Sequence, residues 1–205
     1  MIVARKNVKE VVKNLLDEPK LALDTETLGL AYGDRLFSII IGTDLEQYYF
    51  NFYDSFDHLG KLVPEEYTLD IGDLDEIEPL FRQDRLWFMH NAKFDLHKLD
   101  LEGSSILGEV HDTEVVERLL YNIELSYSLD NIGLRRGYPK DSTVEEYIAK
   151  HKLYSFEQIP GKKNQKKNKK YYLVPYDILV KYGETDCRVT YQIGMEQLSE
   201  LSLQQ

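Results

Sequence analysis

The sequence contains little that would suit a secreted or membrane-bound protein. Its 205 residues include a single cysteine, Cys187, which has no partner for a disulfide and therefore indicates a reducing compartment. Residues 1–20 combine charged residues with valines and leucines, a pattern typical of an amphipathic helix and not of a signal peptide or membrane span. No change in composition divides the chain. We therefore expect one domain over residues 1–205, located in the cytoplasm and without a membrane partner.

Two acidic residues stand close together in a segment that otherwise has the composition of a buried strand. The segment is LALDTETLGL, residues 21–30. On a strand, side chains two residues apart point to the same face, so Asp24 and Glu26 lie side by side. Two partly buried carboxylates repel each other, and either a proton or a divalent cation relieves the repulsion. We favour the cation.

Another acidic residue lies in line with an apolar stripe near the end of the chain. Residues 175–202 are predicted to form a long helix that begins with a proline, which suits the first helical position. Tyr182 and Asp186 are four residues apart and therefore stack on one face of this helix. A carboxylate on a core-facing stripe needs a partner. A metal ion held by the acidic pair on the strand would provide one.

Asp95 completes a set of five residues that occur in a fixed order. It follows Asn91 by four residues, after a short apolar strand predicted at residues 86–89. D-x-E on a strand, N-x-x-x-D at a strand-to-helix junction and Y-x-x-x-D on a late helix resemble the three motifs of the DEDDy nucleases. The histidine subgroup of the DEDD nucleases has its base five residues before the last acid, where this chain has Lys181. Within the tyrosine subgroup, the chain most resembles the 3′→5′ proofreading exonuclease domain of family A DNA polymerases, the DNA polymerase I type.

Three further segments support this resemblance. SFEQIPGKKNQ, residues 155–165, is similar to the F-E-x-I-x-G-K stretch that these domains carry upstream of the third motif. HDTEVVERLLYN, residues 111–122, resembles their D-T-x-x-x-x-x-L-L helix, and SLDNIGLRRG, residues 128–137, resembles the helix that follows. The resemblance therefore covers roughly residues 20–200. Each motif alone is a weak signal, but the ordered set is a strong one.

The resemblance implies metal-dependent hydrolysis of phosphodiester bonds from a 3′ end, with two Mg²⁺ or Mn²⁺ ions about 4 Å apart. It implies that Asp24 bridges both ions. Glu26 and Asp186 would complete the site that holds the attacking water, and Asp95 would hold the second ion through water. Tyr182 would orient the attacking water. Because an ordinary tyrosine with a pKa of about 10 is protonated at neutral pH, we do not expect it to be the base.

The resemblance also implies which residues hold the substrate strand. Leu30 would wedge against the terminal base, and Phe156 would stack on that base. Thr25 and Asn91 would reach the terminal nucleotide and its phosphates. For Leu30, a place in the hydrophobic core is an equally good interpretation.

Positive charge is scarce, since the formal net charge is −11, but it is concentrated in one run. KKNQKKNKK, residues 162–170, contains six lysines and no acidic residue. We expect a flexible basic loop over residues 161–171 that covers single-stranded DNA, and a merely solvated loop is the alternative. The lysines expected to contact phosphates are Lys162, Lys163, Lys166 and Lys167.

These expectations together describe an enzyme, a 3′→5′ exodeoxyribonuclease. It would remove 5′-mononucleotides from single-stranded or frayed DNA and proofread for a DNA polymerase that acts in cis or in trans. One alternative is an RNA-trimming exonuclease of the ribonuclease D kind, because the five motif residues do not distinguish the two sugars. Another is a silent scaffold that only binds DNA or a polymerase. The presence of all five residues argues against a scaffold.

The pattern of elements predicts an α/β, ribonuclease H-like fold of three layers, with a five-stranded mixed sheet flanked by helices. Strands at 21–27, 36–43 and 46–52 should form an antiparallel meander. Strands at 86–89 and near 107–110 follow helical crossovers and should lie parallel to the first strand. The helices that we predict after the meander cover residues 73–83, 92–100, 112–122, 128–136, 143–150 and 175 to about 202.

Overall fold

The computed structural model describes residues 1–52, 57–158 and 165–203. Its main sheet has five strands in the order β3-β2-β1-β4-β5, of which β1 to β3 are antiparallel neighbours and β4 and β5 run parallel to β1. The strands are β1 (Lys20–Thr27), β2 (Leu36–Gly42), β3 (Gln47–Asn51), β4 (Leu86–Met89) and β5 (Glu109–Asp112). The predicted mixed sheet is confirmed, although β5 begins two residues later than predicted.

Seven α-helices accompany the sheet in the described ranges, close to the predicted positions. They are α1 (Val8–Leu15), α2 (Leu74–Phe81), α3 (Ala92–Leu101), α4 (Thr113–Leu120), α5 (Leu129–Arg136), α6 (Thr143–His151) and α7 (Tyr176–Ser202). No helix of the described residues is long and apolar enough to cross a membrane.

Successive residues of β1 point to opposite faces of the sheet, and consecutive ones are buried, so helices cover both faces. On β1, Leu21 and Leu23 are buried in the core that contains residues of α1, α2 and α3. Ala22, between them, is buried on the other face, where α7 packs. Cys187 of α7 is fully buried against that face, and its Sγ lies 3.7 Å from the carbonyl oxygen of Ala22. The even-numbered residues of β1 therefore face α7.

Two glycines allow α7 to lie directly on the sheet. A Cβ atom at Gly194 would be 2.2 Å from the ring of Phe88 on β4, and one at Gly183 would be 2.9 Å from the side chain of Ile40 on β2. Real Cβ atoms do not approach other atoms so closely. A larger residue at either position would push the helix away from β1, and with it the acidic residue that α7 carries.

The basic segment between α6 and α7 differs from the prediction. Of the residues 161–171 predicted as a flexible loop, residues 165–169 form a strand. This strand, β7 (Gln165–Lys169), pairs antiparallel with β6 (Tyr154–Gln158), with Phe156 opposite Lys167, and we call the pair the basic hairpin. The strand residues of β7 are mostly polar and exposed, so their hydrophobicity pattern gave no strand signal. Lys162 and Lys163 lie outside the described residues.

Candidate functional site

The acidic pair of β1 faces α7, as the strand period predicts. Asp24 is half-buried and Glu26 is buried. Part of the Asp24 side chain reaches solvent, yet protein atoms surround its carboxyl group on most sides. Burial raises the pKa of both carboxyls well above their ordinary values, and the charges of Asp95 and Asp186 raise both further. The structure therefore gathers the four predicted acids into one electrostatically coupled group.

Asp95 reaches this group from α3, on the opposite face of the sheet. Its Oδ1 accepts hydrogen bonds from the backbone N–H of Thr25 at 3.1 Å and from the Thr25 hydroxyl at 2.6 Å. Burial raises the pKa of Asp95 to about 7, against the lowering effect of these hydrogen bonds. The Thr25 side chain therefore positions Asp95.

Tyr182 and Asp186 lie together on α7, one helical turn apart. Asp186 is buried, and burial raises its pKa to about 6, against the lowering effects of the nearby Lys140 and of a hydrogen bond with the Tyr182 hydroxyl. The ring of Tyr171 stacks on that of Tyr182 with 5.5 Å between the centroids. Burial, followed by the charges of Asp186 and Glu26, raises the pKa of Tyr182 well above its ordinary value. Tyr182 is therefore a neutral hydroxyl and not a base.

Lys140 is a member of the site that the sequence did not reveal. Its Nζ lies 2.6 Å from Oδ1 of Asp186, 2.7 Å from Oδ1 of Asp130 and 4.8 Å from the centre of the Tyr182 ring. Burial lowers the pKa of Lys140, but the two carboxylates outweigh burial and raise it overall. The lysine stands between α5 and α6 in the sequence Tyr-Pro-Lys-Asp, where no periodic pattern distinguishes it from a solvated surface lysine.

Carboxylate oxygens are suitable ligands for a divalent cation, but the four carboxylates are not oriented so that they form a metal site. Among the described residues, no three His, Cys, Asp or Glu side chains converge on a point where an ion could bind. Asp95 is directed to Thr25, and Asp186 to Lys140. Oδ1 of Asp186 is buried, and the Lys140 ammonium balances its charge at 2.6 Å. Carboxylate oxygens are the ligands that Mg²⁺ prefers, so rotation of Asp186 away from Lys140 would open the site.

A groove of about 920 Å³ runs from Glu26 to the basic hairpin. Of the predicted strand-binding residues, Thr25, Leu30, Lys166 and Lys167 line it. The lysines of β7 thus line the same groove as Glu26. This is the arrangement expected for a site that binds a polyanion beside bound cations.

Phe156 and Leu30 are both exposed, at 62% and 61% of their surface. The interpretation of Leu30 as a core residue is therefore wrong. Phe156 does not line the groove, whereas its strand neighbours Ser155 and Glu157 do, because side chains alternate along β6. Asn91 adopts a left-handed conformation at the start of α3, with φ of 60°. It lines a second pocket, which Leu30 also lines.

We expect the Asp95 carboxyl to make the metal-free protein less stable as the pH rises from about 4 to about 7. Its pKa is about 7 in the fold and near 3.8 when unfolded, so the folded state binds more protons throughout this range. The stabilising contribution is therefore complete below pH 4 and is lost as the pH passes 7. The difference in melting temperature between the wild type and Asp95→Asn, measured in chelator, isolates this contribution.

In that measurement the wild type should lose stability relative to Asp95→Asn as the pH rises. Asparagine retains the oxygen that Thr25 contacts and does not ionise in this range. If the melting temperature of the wild type relative to that of Asp95→Asn stayed constant or rose with pH, the raised pKa of Asp95 would be contradicted.

A family profile described as 3′-5′ exonuclease matches residues 1–201 of the chain. This match covers almost the whole sequence, including all five motif residues. It confirms the resemblance that the ordered motifs indicated. No curated protein matches the chain.

Several solved structures share the fold at low sequence identity. RNase D from Escherichia coli, described as an exoribonuclease involved in structured RNA processing, is 15% identical, with a TM-score of 0.61. The match covers 99% of this chain and 45% of RNase D. Brucella melitensis NrnC with bound Mg²⁺ is 15% identical, with a TM-score of 0.56, over 92% of this chain and 76% of NrnC.

The POL domain of Pol1 from M. smegmatis, in complex with a DNA primer-template and dNTP, is 13% identical, with a TM-score of 0.57. That match covers 98% of this chain and 28% of Pol1. This chain thus spans less than half the length of RNase D and of Pol1. The likenesses establish the ribonuclease H-like fold that the sequence predicted.

Proposed function

This chain belongs to the 3′-5′ exonuclease family, and on that premise we propose that it removes 5′-mononucleotides from the 3′ ends of single-stranded or frayed DNA. The observation that carries the proposal is that Asp24, Glu26, Asp95 and Asp186, from three separate elements, lie close enough for their charges to act on one another. Glu26 also lines a groove that lysines of β7 line. A coupled group of buried carboxylates is costly without a cation, and a basic groove beside it suits a phosphate backbone.

In this proposal the four carboxylates would hold two divalent ions, Mg²⁺ or Mn²⁺. When bound, the ions lower the pKa of the attacking water and stabilise negative charge on the leaving 3′ oxygen. The neutral Tyr182 hydroxyl would donate a hydrogen bond to Asp186 and accept a hydrogen bond from the water, and so orient both. Lys140 must release Asp186 before that carboxylate can coordinate a cation.

DNA is the substrate that we propose, because the segment SFEQIPGKKNQ, residues 155–165, resembles the F-E-x-I-x-G-K stretch of the proofreading domains of DNA polymerases. A polymerase partner, in cis or in trans, is part of this proposal. The likeness to an exoribonuclease over 99% of the chain favours RNA 3′ ends as the second candidate. A scaffold that binds without cleaving is the third.

We expect the wild type with Mg²⁺ to release 5′-mononucleotides from a 3′-tailed DNA strand, and to do so faster from a mismatched end than from a paired one. A paired end must first be melted, at a cost of about 1–2 kcal/mol per base-pair step. The measurement is gel analysis of 5′-labelled DNA and RNA strands of the same sequence. Faster trimming of RNA would favour the second candidate and imply a contact to the 2′-hydroxyl. Binding without release from either strand would leave only the scaffold.

We expect Lys166→Ser/Lys167→Ser to weaken single-strand binding equally for all sequences. Both lysines line the groove, and contacts to phosphates carry no sequence information. Each lost phosphate contact reduces the slope of log affinity against log salt by about 0.7, so the double variant should lose up to about 1.4. Fluorescence anisotropy at several salt concentrations measures this slope.

A matched control for that experiment is Lys9→Ser/Lys13→Ser, which removes the same charge from the exposed side of α1. Helix α1 packs on the face of the sheet opposite α7, away from the groove. The control should leave the slope unchanged. An equal change of the slope in both double variants would mean that only net charge matters. An unchanged slope in both would mean that the hairpin lysines are solvated and do not contact the strand.

A further inference from the structure

A pocket of about 540 Å³ adjoins the groove on the far side of Leu30, and we call it the outer pocket. Leu30 and Phe94 line both cavities, so a strand in the groove can continue into the outer pocket. The other residues of the outer pocket that matter here are Tyr32, Asn91, Lys93 and His97. None of the roles described so far uses Tyr32 or His97.

Tyr32 and His97 form a ring pair at the surface. Their ring centroids are 4.0 Å apart with 35° between the planes, and the His97 Nε2 lies 3.0 Å from the carbonyl oxygen of Tyr32. Because a carbonyl oxygen can only accept a hydrogen bond, the Nε2 atom of His97 carries the proton and donates it. Tyr32 is nevertheless 75% exposed. One side of its ring rests on His97, and most of the side chain remains open to solvent, where an aromatic ring contributes nothing to folding by burial.

The loop that carries Tyr32 is held in place by α3. Lys98 is 1% exposed, and its ammonium donates hydrogen bonds to the carbonyl oxygens of Ala31 at 2.8 Å and Asp34 at 2.7 Å. Oδ2 of Asp34 accepts a hydrogen bond from the Ala31 N–H at 2.7 Å. Arg35 forms an ion pair with Glu102 at the end of α3. The ring is thus positioned before any ligand arrives, which lowers the entropic cost of binding.

We propose that Tyr32, supported by His97, stacks on a second nucleobase in the outer pocket, next to the base in the groove. This inference rests on the proposed function, since it names a further part of the same strand-binding site. A base has an apolar face of the size of the tyrosine ring, and stacking on aromatic side chains is a general mode of single-strand binding. Leu30, 61% exposed between the two cavities, then separates the two bases. Lys93 lies at the pocket with a charge of the sign that suits a phosphate.

The inference makes the binding site at least two nucleotides long. A 5′-phosphorylated deoxydinucleotide, pdApdA, should therefore bind more tightly than 5′-dAMP by about tenfold, the usual scale of one base stacked on an aromatic ring. Tyr32→Ala should remove this advantage and leave the affinity for 5′-dAMP unchanged. Tyr32→Phe keeps the ring and should keep the advantage.

The experiment is a set of titrations in chelator, which prevents turnover, with the wild type, Tyr32→Ala and Tyr32→Phe. Dissociation constants are measured for 5′-dAMP, for pdApdA and for a tetranucleotide with 2-aminopurine at the last or the second-last position. Stacking quenches 2-aminopurine, so one position should show quenching that Tyr32→Ala abolishes. Because Tyr32 is largely exposed, both variants should have the melting temperature of the wild type, which a thermal scan checks.

Equal losses for 5′-dAMP and pdApdA in Tyr32→Ala, or no loss for either, would overturn the inference. So would quenching that is the same in Tyr32→Ala and the wild type. Failure of the proposed function looks different, because the wild type with Mg²⁺ would then release no mononucleotides from DNA. A wild type that cleaves DNA normally while Tyr32→Ala matches it in every titration would overturn the inference alone.

Discussion

Asp24→Asn should reduce the release of mononucleotides from a 3′-tailed strand by more than about 100-fold. Loss of a residue that merely supports a metal ligand already costs 10- to 100-fold, so loss of a direct ligand costs more. Asp24 faces α7 at the centre of the carboxylate group, and the charges of Glu26, Asp95 and Asp186 all act on it. Asparagine keeps the shape of the side chain and removes the charge that attracts the cations.

The same variant should also lose the response of the fold to metal. For the wild type, Mn²⁺ at 100 times its dissociation constant should stabilise the fold by about 2.7 kcal/mol. For a chain of this size that corresponds to a rise in melting temperature of about 5–10 °C. Asp24→Asn should show little of this rise, while its binding of single strands in chelator should resemble that of the wild type.

Asp44→Asn is the matched control, because it makes the same substitution at an exposed position of the turn between β2 and β3. It should cleave and bind Mn²⁺ as the wild type does. Cleavage at the wild-type rate by Asp24→Asn, or by the wild type in excess chelator, would overturn the assignment of the carboxylates as metal ligands.

Lys140→Met should destabilise the metal-free protein by about 3 kcal/mol, because removal of one partner of a buried ion pair leaves the other charge uncompensated. Both the Lys140 and the Asp186 side chains are less than a tenth exposed, so solvent screens their 2.6 Å contact little. The expected loss corresponds to a fall of about 6–12 °C in melting temperature. The measurement is thermal unfolding of the wild type and the variant, in chelator and with Mn²⁺.

Addition of Mn²⁺ should reduce the difference in melting temperature between Lys140→Met and the wild type, since a cation can then take the place of the ammonium beside Asp186. Lys181→Met is the control, because Lys181 lines the same small cavity of about 140 Å³ as Lys140. It should melt close to the wild type in both conditions. If the difference for Lys140→Met were the same with and without metal, Lys140 would be a structural partner only, with no link to cation binding.

Much of the candidate site follows from local periodicity alone. The period of two along a strand places Asp24 and Glu26 on one face, and the period of 3.6 along a helix places Tyr182 above Asp186. These periods are properties of the backbone and do not depend on what packs nearby. The same reasoning located the five strands of the sheet, because buried strands here are short apolar runs such as Leu86–Met89.

The hairpin of β6 and β7 shows where such reasoning fails. Its second strand, QKKNK, has neither the alternation nor the β-branched residues by which a strand is detected. It is a strand because Tyr154 to Gln158 provide a backbone partner, with Lys167 lying 3.5 Å above the ring of Tyr154. Pairing with a neighbouring strand decided its conformation.

The sequence by itself determined the fold class, the family and the identity of the acidic residues, since each depends on short motifs in a fixed order. Only the tertiary structure decided that Lys140 pairs with Asp186, that Thr25 holds Asp95 and that Tyr32 rests on His97. The partners in these pairs are 46, 70 and 65 residues apart in the chain. Contacts at such separations depend on the path of the loops and on the packing of helices against the sheet, which no local period encodes.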